Sequence, residues 1–387
     1  MSKVWLRGAR ILTERGLEEG LSLLLDGPKI AAVGSYQPED GIDAVVLEGC
    51  TLVPGFTDLH CHGGGGEDFM SSDLSGVERA VRSHLVAGTT TIFPTSVSCS
   101  KAELLSFAKR MRAFASSSET LSSIAGLHIE GPYISPEFAG AQPREVLRDA
   151  DIDEVREVDE ACEGMVKIMT YAPERPGAEA LTEWLMAEGR VPAIGHTAAP
   201  YELGVEAIDA GMRHVSHAFN AMRPIHHREP GLLLAALLDP RVTLQVIADG
   251  VHIHRAVLRL LYEVKGPSGI ALVTDATAAA FCRDGNYRLS GEEVVLSQGA
   301  VRNQRGNLAG SALSMVEALR NIMEFTSCTL NEACAMASST PARVVGLDGM
   351  KGSLKEGYDG DIVVLDGRMG ITRVYQMGRL AYEATSS

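Results

Sequence analysis

The chain has 387 residues, 45% of them hydrophobic and 22% charged, with a formal net charge of −15. That balance excludes a disordered or fibrous chain, and the length suits one large domain or two ordinary ones of about 100–200 residues each. An acidic surface without a Lys/Arg run argues against nucleic acid and against acidic membrane as partners, whereas a small anionic substrate stays compatible, because a pocket carries its own cations.

The opening segment, Met1-Ser2-Lys3-Val4-Trp5-Leu6-Arg7, lacks the long apolar run of a signal peptide. No stretch reaches the roughly 20 apolar residues of a membrane span. The seven cysteines have no paired spacing and no C-x-x-C, which points to neither a thiol-zinc site nor a redox motif. A cytoplasmic protein with reduced thiols is the expectation.

Residues 1–54 read as short strands between turns. Val4–Leu6, Leu21–Leu25, Ile30–Gly34 and Val45–Leu47 are apolar runs separated by turn signals such as Asp26-Gly27. The C-terminal segment, 351–387, has the same texture at Gly360–Gly367 and Val374–Arg379. Neither end alone buries much of a core, so a small β-sandwich domain built from both chain ends is the economical solution.

Between them, residues 55–350 alternate strands with helices. Helices are predicted near Leu74–Ala87, Ala102–Ala115 and Ile152–Ala161. Strands are predicted at Thr90–Phe93, Ile124–Leu127, Val166–Met169, Pro192–Gly195, His214–Ser216, Thr243–Ile247 and Ile270–Val273. Such alternation implies βα units on a parallel sheet. So many units in one run favour a closed (β/α)8 TIM-type barrel over an open doubly wound sheet. No internal repeat is found, and the only low-complexity run is Ser116-Ser117-Ser118.

Several of these strands end in groups that bind metals or carry protons. In Thr57-Asp58-Leu59-His60-Cys61-His62, residues i and i+2 of a strand face one side, so His60 and His62 point inward together. On its own, H-x-H is weak evidence, and two surface histidines at a strand end are the alternative. The Gly63–Gly66 run that follows permits close approach of a ligand. Glu130 ends an apolar strand, where a carboxylate is costly unless paired or bound to a metal. His196 and His217 sit at two further strand ends. His128, two residues before Glu130, reads either as an outer partner of the ligands or as a packed core histidine. Imidazoles and carboxylates suit a divalent ion such as zinc or iron. Asp275 stands at a later strand end, where it is either a turn cap or a base beside metal-activated water. The coincidence decides: all six groups fall where a barrel places its active site.

With those residues in hand, the chain resembles the amidohydrolase superfamily, and within it the family of N-acetylglucosamine-6-phosphate deacetylases. The motifs are Pro-Gly-Phe-Thr-Asp-Leu-His-Cys-His-Gly-Gly-Gly-Gly at 54–66, His-Ile-Glu-Gly-Pro-Tyr at 128–133, Gly-His-Thr at 195–197 and His-Ala-Phe-Asn-Ala-Met at 217–222. Arg228-Glu229-Pro230-Gly231, Asp249-Gly250-Val251-His252, Thr274-Asp275-Ala276 and Leu308-Ala309-Gly310-Ser311 complete the set. The resemblance implies that Glu130, His196 and His217 hold a main divalent ion, zinc first, with iron or another ion as alternatives. His60 and His62 would help hold a second, bridged by Glu130. Asp275 would be the base that activates water against the N-acetyl carbonyl and then protonates the leaving amine.

Substrate contacts are implied at Ala141, Gln142, Asn220, the backbone of Ala221, Arg228, His252 and Leu308. Arg228 would reach across a homodimer interface to the neighbouring active site. One departure stands out: Gln142 replaces the family's usual histidine, and a glutamine donates hydrogen bonds without carrying charge. That leaves the sugar open between the glucosamine and galactosamine isomers. The competing readings are an amidohydrolase of cyclic amides or dipeptides and a non-catalytic barrel.

Overall fold

The computed structural model describes residues 3–35, 42–117 and 124–385; Met1, Ser2 and Ser118 of the sequence reading lie outside them. Its centre is a ring of parallel strands. Phe56–Cys61 pairs with Thr89–Pro94. A six-stranded parallel sheet then runs Leu127–Glu130, Val166–Tyr171, Val191–Ile194, His214–Val215, Thr243–Val246 and Ile270–Leu272, each strand beside the next in sequence. Isolated parallel bridges close the ring: Ile92 to Ile124, Thr95 to His128 and Cys61 to Ala276. Closure is reinforced by Asp275 N–H donating to His60 O at 2.8 Å. Fold class and closure match the sequence reading, and the open sheet is not what forms.

The strands are buried end to end, as in Thr89–Pro94 and Phe56–Cys61. Parallel strands covered by helices on their outer face show this continuous burial. The helices begin where local chemistry provides caps. Asp73 accepts from Gly76 N–H at the start of Leu74–Val86, and a Ser314/Glu317 capping box opens Met315–Thr326. The predicted strand Ile124–Leu127 shifts C-terminally to Leu127–Glu130, with Ile124 left in a single bridge.

Two further sheets join the chain ends. One orders Lys29–Gly34, Ser22–Asp26, Lys3–Arg7 and Asp43–Val46; the other orders Arg379–Glu383, Ile371–Gln376, Ile362–Leu365, Thr51–Pro54, Arg10–Thr13 and Gly16–Glu18. The seam is Thr51–Pro54 lying antiparallel to Ile362–Leu365. Leu6, Ile11, Leu23, Leu25, Leu52, Ile362 and Val364 fill the space between the sheets. The alternate residues Val53, Val363 and Leu365 belong to the barrel's core instead. The period of two thus lets one strand serve two cores, which couples the sandwich to the barrel.

An element absent from the sequence reading follows the last barrel strand. Gly285–Leu289, Glu292–Ser297, Ala300–Asn303 and Leu308–Ser311 form an antiparallel sheet. It packs over its own small core of Ala279, Val294, Leu296, Val301 and Ala309. Its last strand returns to the barrel, where Ser311 N–H donates to Asp275 O at 2.7 Å. Among the described residues no helix is long and apolar enough to cross a membrane, and all seven cysteines are free.

Candidate active site

Every group of the proposed ligand set is brought to one end of the barrel. Glu130 Oε1 lies 2.8 Å from His217 Nε2 and 3.1 Å from His196 Nε2. His60 Nε2 stands 3.6 Å from the same oxygen, while His62 Nε2 stands 3.5 Å from Oε2. Asp275 Oδ1 is 3.2 Å from His62 Nε2 and 3.7 Å from His60 Nε2. The ligand atoms of His60, Glu130 and His217, and those of His60, His62 and Asp275, each lie within 4.8 Å of one another.

The backbone bends sharply to achieve this. His196, His217 and Asp275 have φ of 48°, 27° and 50°, the left-handed region that non-glycine residues rarely occupy and that concentrates at functional sites. Each lies just beyond a strand end, so the turn swings the side chain inward instead of letting it follow the strand. Ser311 holds the Asp275 turn from behind. Gly310 is a glycine because a Cβ there would meet Asp275 O at 2.7 Å, at a φ of +62°.

Three of the four histidines have their outer nitrogen fixed by the protein. His60 Nδ1 bonds Gln245 Oε1 at 2.9 Å, His62 Nδ1 bonds Thr95 O at 3.2 Å and His196 Nδ1 bonds Phe138 O at 2.9 Å. Each therefore turns Nε2 into the cluster, the arrangement by which outer partners orient metal-binding imidazoles. His217 Nδ1 is buried and has no hydrogen-bond partner among the described residues.

The electrostatics ask for a cation. Burial opposes charge on Glu130, but His60, His196 and His217 outweigh it and hold the carboxyl well below its usual range. Asp275 is likewise brought down to about 2, burial being overcome by His60, His62 and His217. Burial lowers His60 to about 4. His62 rises to about 9 and His217 also rises, because their carboxylate partners outweigh burial. Among the described residues, the ion-pair partners of Glu130 and Asp275 are imidazoles. Two buried carboxylates whose ion-pair partners are imidazoles fit a divalent ion, whose binding would replace those protons.

The cluster floors a cleft of 860 Å³. Ala141, Gln142, Asn220, Ala221, His252 and Leu308 all line it. His252 is fixed by Asp249, with Nδ1 to Oδ2 at 2.6 Å. Arg228 stands outside this cleft; it is exposed, and its guanidinium bonds the neighbouring His227 ring at 2.7 Å. His128 turns away from Glu130, bonding Leu59 O at 2.9 Å and Thr170 Oγ1 at 2.7 Å. Within the Gly63–Gly66 run, Gly63 is required by the chain itself: a Cβ there would meet Glu67 O at 2.2 Å, inside the small hairpin of Gly63–Gly64 with Glu67–Asp68.

Two features escaped the sequence reading. Gln245 accepts from His217 N–H at 3.3 Å besides contacting His60, and its amide reaches His214 at 2.9 Å. A carboxamide inside Thr243-Leu244-Gln245-Val246-Ile247 is a signal, since such a group is costly when buried without partners. The other feature is the inserted sheet, whose residues Leu289, Ser290 and Arg302–Gly310 form one wall of the cleft. Alternation broken at Ser290-Gly291, Gln298-Gly299 and Arg305-Gly306 marks its turns in the sequence.

A closed barrel with imidazoles and carboxylates gathered at the C-terminal ends of its strands is the architecture of a metal-assisted hydrolase. The Amidohydrolase family matches residues 51–384, and the chain belongs to that family. It is 34% identical to N-acetylgalactosamine-6-phosphate deacetylase of Escherichia coli O157:H7, over 97% of this chain and 98% of the relative. It is 32% identical to N-acetylglucosamine-6-phosphate deacetylase of Lysinibacillus sphaericus, over 98% of each. Among solved structures, a variant of N-acetyl-D-glucosamine-6-phosphate deacetylase from Mycobacterium smegmatis, in complex with N-acetyl-D-glucosamine-6-phosphate, superposes with a TM-score of 0.93 at 35% identity. That match covers 98% of this chain and 100% of the other.

Proposed function

We propose that this protein hydrolyses N-acetylglucosamine 6-phosphate to glucosamine 6-phosphate and acetate. The observation that carries the reading is Glu130 Oε1 meeting both His196 and His217 at the floor of a cleft walled by Asn220, Ala221 and His252. Relatives that share nearly the whole chain bear the name of this activity, and one bears that of the galactosamine isomer's deacetylase.

Glu130, His196 and His217 would hold a divalent ion, zinc first. His60 and His62 would help to hold a second ion beside the shared Glu130. A bound ion supplies Lewis-acid polarisation, lowering the pKa of water towards about 7. Asp275 is ionised and faces the cluster, so its carboxylate accepts the proton from the attacking water. It returns that proton to the amide nitrogen as the C–N bond breaks, giving acetate and a free amine. Asn220, the backbone at Ala221 and His252 receive the phosphate, while Ala141, Gln142 and Leu308 line the sugar's side of the cleft. The protein is a cytoplasmic homodimer in this reading.

In this reading Arg228, exposed in a single chain, adds a cation from across the dimer interface to the arginines Arg144, Arg302 and Arg305 that already line the cleft. Its planar fork binds two phosphate oxygens at once. Arg228→Ala raises KM for the phosphorylated sugar by roughly 10- to 150-fold, the equivalent of about 1.5–3 kcal/mol for a charge-assisted hydrogen bond. KM for N-acetylglucosamine without phosphate changes much less. Equal losses on both substrates, measured by steady-state kinetics, would refute the phosphate assignment.

A further inference from the structure

Glu130 is not held symmetrically. Its Oε1 faces His196 and His217, at 3.1 and 2.8 Å. Its Oε2 accepts a hydrogen bond from Gln142 Nε2 at 2.6 Å. The amide's orientation is set by the other end of the same side chain, because Ser98 N–H donates to Gln142 Oε1 at 2.7 Å. An N–H donor can satisfy only the carbonyl oxygen, so the NH₂ group must point at Glu130. Gln142 belongs to the loop carrying Phe138, whose carbonyl bonds His196 Nδ1 at 2.9 Å. One short loop therefore fixes both a carboxylate oxygen and an imidazole of the same ligand set.

The two oxygens consequently differ in what they offer a cation. An ion shared by Oε1, His196 and His217 displaces only protons. An ion that also takes Oε2, beside His62 at 3.5 Å, must share that oxygen with a charge-assisted hydrogen bond from a pinned carboxamide, which occupies one lone pair and draws charge from the other. A glutamine NH₂ cannot give up its protons or become a ligand through nitrogen, so this draw weakens the second ion's hold in every protonation state of the site.

We propose that Gln142 is a positioning residue that makes the two ion positions unequal: it steadies Glu130 for the ion at His196 and His217 and disfavours the one at His60 and His62. The inference rests on the metal-dependent reading above and deepens it. It also assigns Gln142 a task other than contacting substrate, since both ends of its amide are engaged by the protein.

The test is metal binding, not turnover. Apo protein is titrated with zinc against a competing chelator for the wild type, Gln142→Ala and Gln142→Met, the last matching the glutamine in length without a donor. Apo-state thermal unfolding checks that each variant folds. In the wild type the first ion binds at least about 10-fold more tightly than the second, a step within the roughly 10- to 100-fold range typical of partners that orient ligands. Both variants narrow that gap, weakening the first ion and strengthening the second. A wild type that binds two ions equally, or variants that reproduce the wild-type pair of affinities, would overturn the role of Gln142 while leaving the metal centre intact. A wild type that binds no zinc and no other divalent ion would remove the metal reading and this inference with it.

Discussion

Asp275→Asn lowers kcat on N-acetylglucosamine 6-phosphate by at least about 100-fold, the lower range for a positioned acid–base group, while KM and the fold are retained. The substitution keeps the size and one hydrogen-bond acceptor of the side chain but removes its capacity to take a proton. The other carboxylate at the cluster, Glu130, has Oε1 engaged by His196 and His217 and Oε2 by Gln142, so it is poorly placed to take over. The turn itself survives the change, because it is held by backbone bonds, Asp275 N–H to His60 O at 2.8 Å and Ser311 N–H to Asp275 O at 2.7 Å. Circular dichroism and kcat measured on the same preparation separate a chemical loss from a folding loss. Near-normal turnover by a folded variant would move the proton transfer to another group.

Removing an imidazole that meets Glu130 Oε1 has an effect of similar size through metal content. His196→Ala or His217→Ala loses most of the bound ion and lowers activity more than about 100-fold, beyond the loss typical of groups that merely orient ligands. Either change leaves Glu130, 2% exposed, with one fewer compensating group, and an undercompensated buried carboxylate is costly. His60→Ala acts more mildly on the tighter ion, since His60 Nε2 stands further from Oε1, at 3.6 Å, and it lowers the total metal per chain where two ions are bound. Metal analysis of the dialysed variants reads all three. Full metal content in His196→Ala or His217→Ala would refute the ligand assignment.

The alternation of strands and helices made the barrel legible, because parallel strands buried on both faces leave uninterrupted apolar runs. The inward histidines were legible through the period of two in Asp58-Leu59-His60-Cys61-His62. What could not be read was any contact made by a carbonyl or a distant amide. The inward turn of His62 depends on Thr95 O, that of His196 on Phe138 O, and a backbone carbonyl leaves no mark in the sequence. Gln142 was conspicuous as a residue type, yet its grip on Ser98 and Glu130 depends on how a loop folds over the barrel mouth. The inserted sheet at 285–311 was readable from its turns and alternation, but those signals sit inside a run dominated by βα units. The sandwich strand Ile362–Leu365 reads as a plain apolar run because each of its faces is buried in a different core.

The central claim is that metal-loaded protein cleaves the N-acetyl bond of a sugar phosphate, and acetate release followed by proton NMR tests it most directly. With N-acetylglucosamine 6-phosphate, zinc-loaded enzyme should release one acetate per sugar, leaving glucosamine 6-phosphate. Chelator-stripped enzyme should be inactive until a divalent ion is restored, and the galactosamine isomer and the unphosphorylated sugar should be cleaved with lower kcat/KM. No acetate from any N-acetylated sugar phosphate, or equal rates from loaded and stripped protein, would contradict the account.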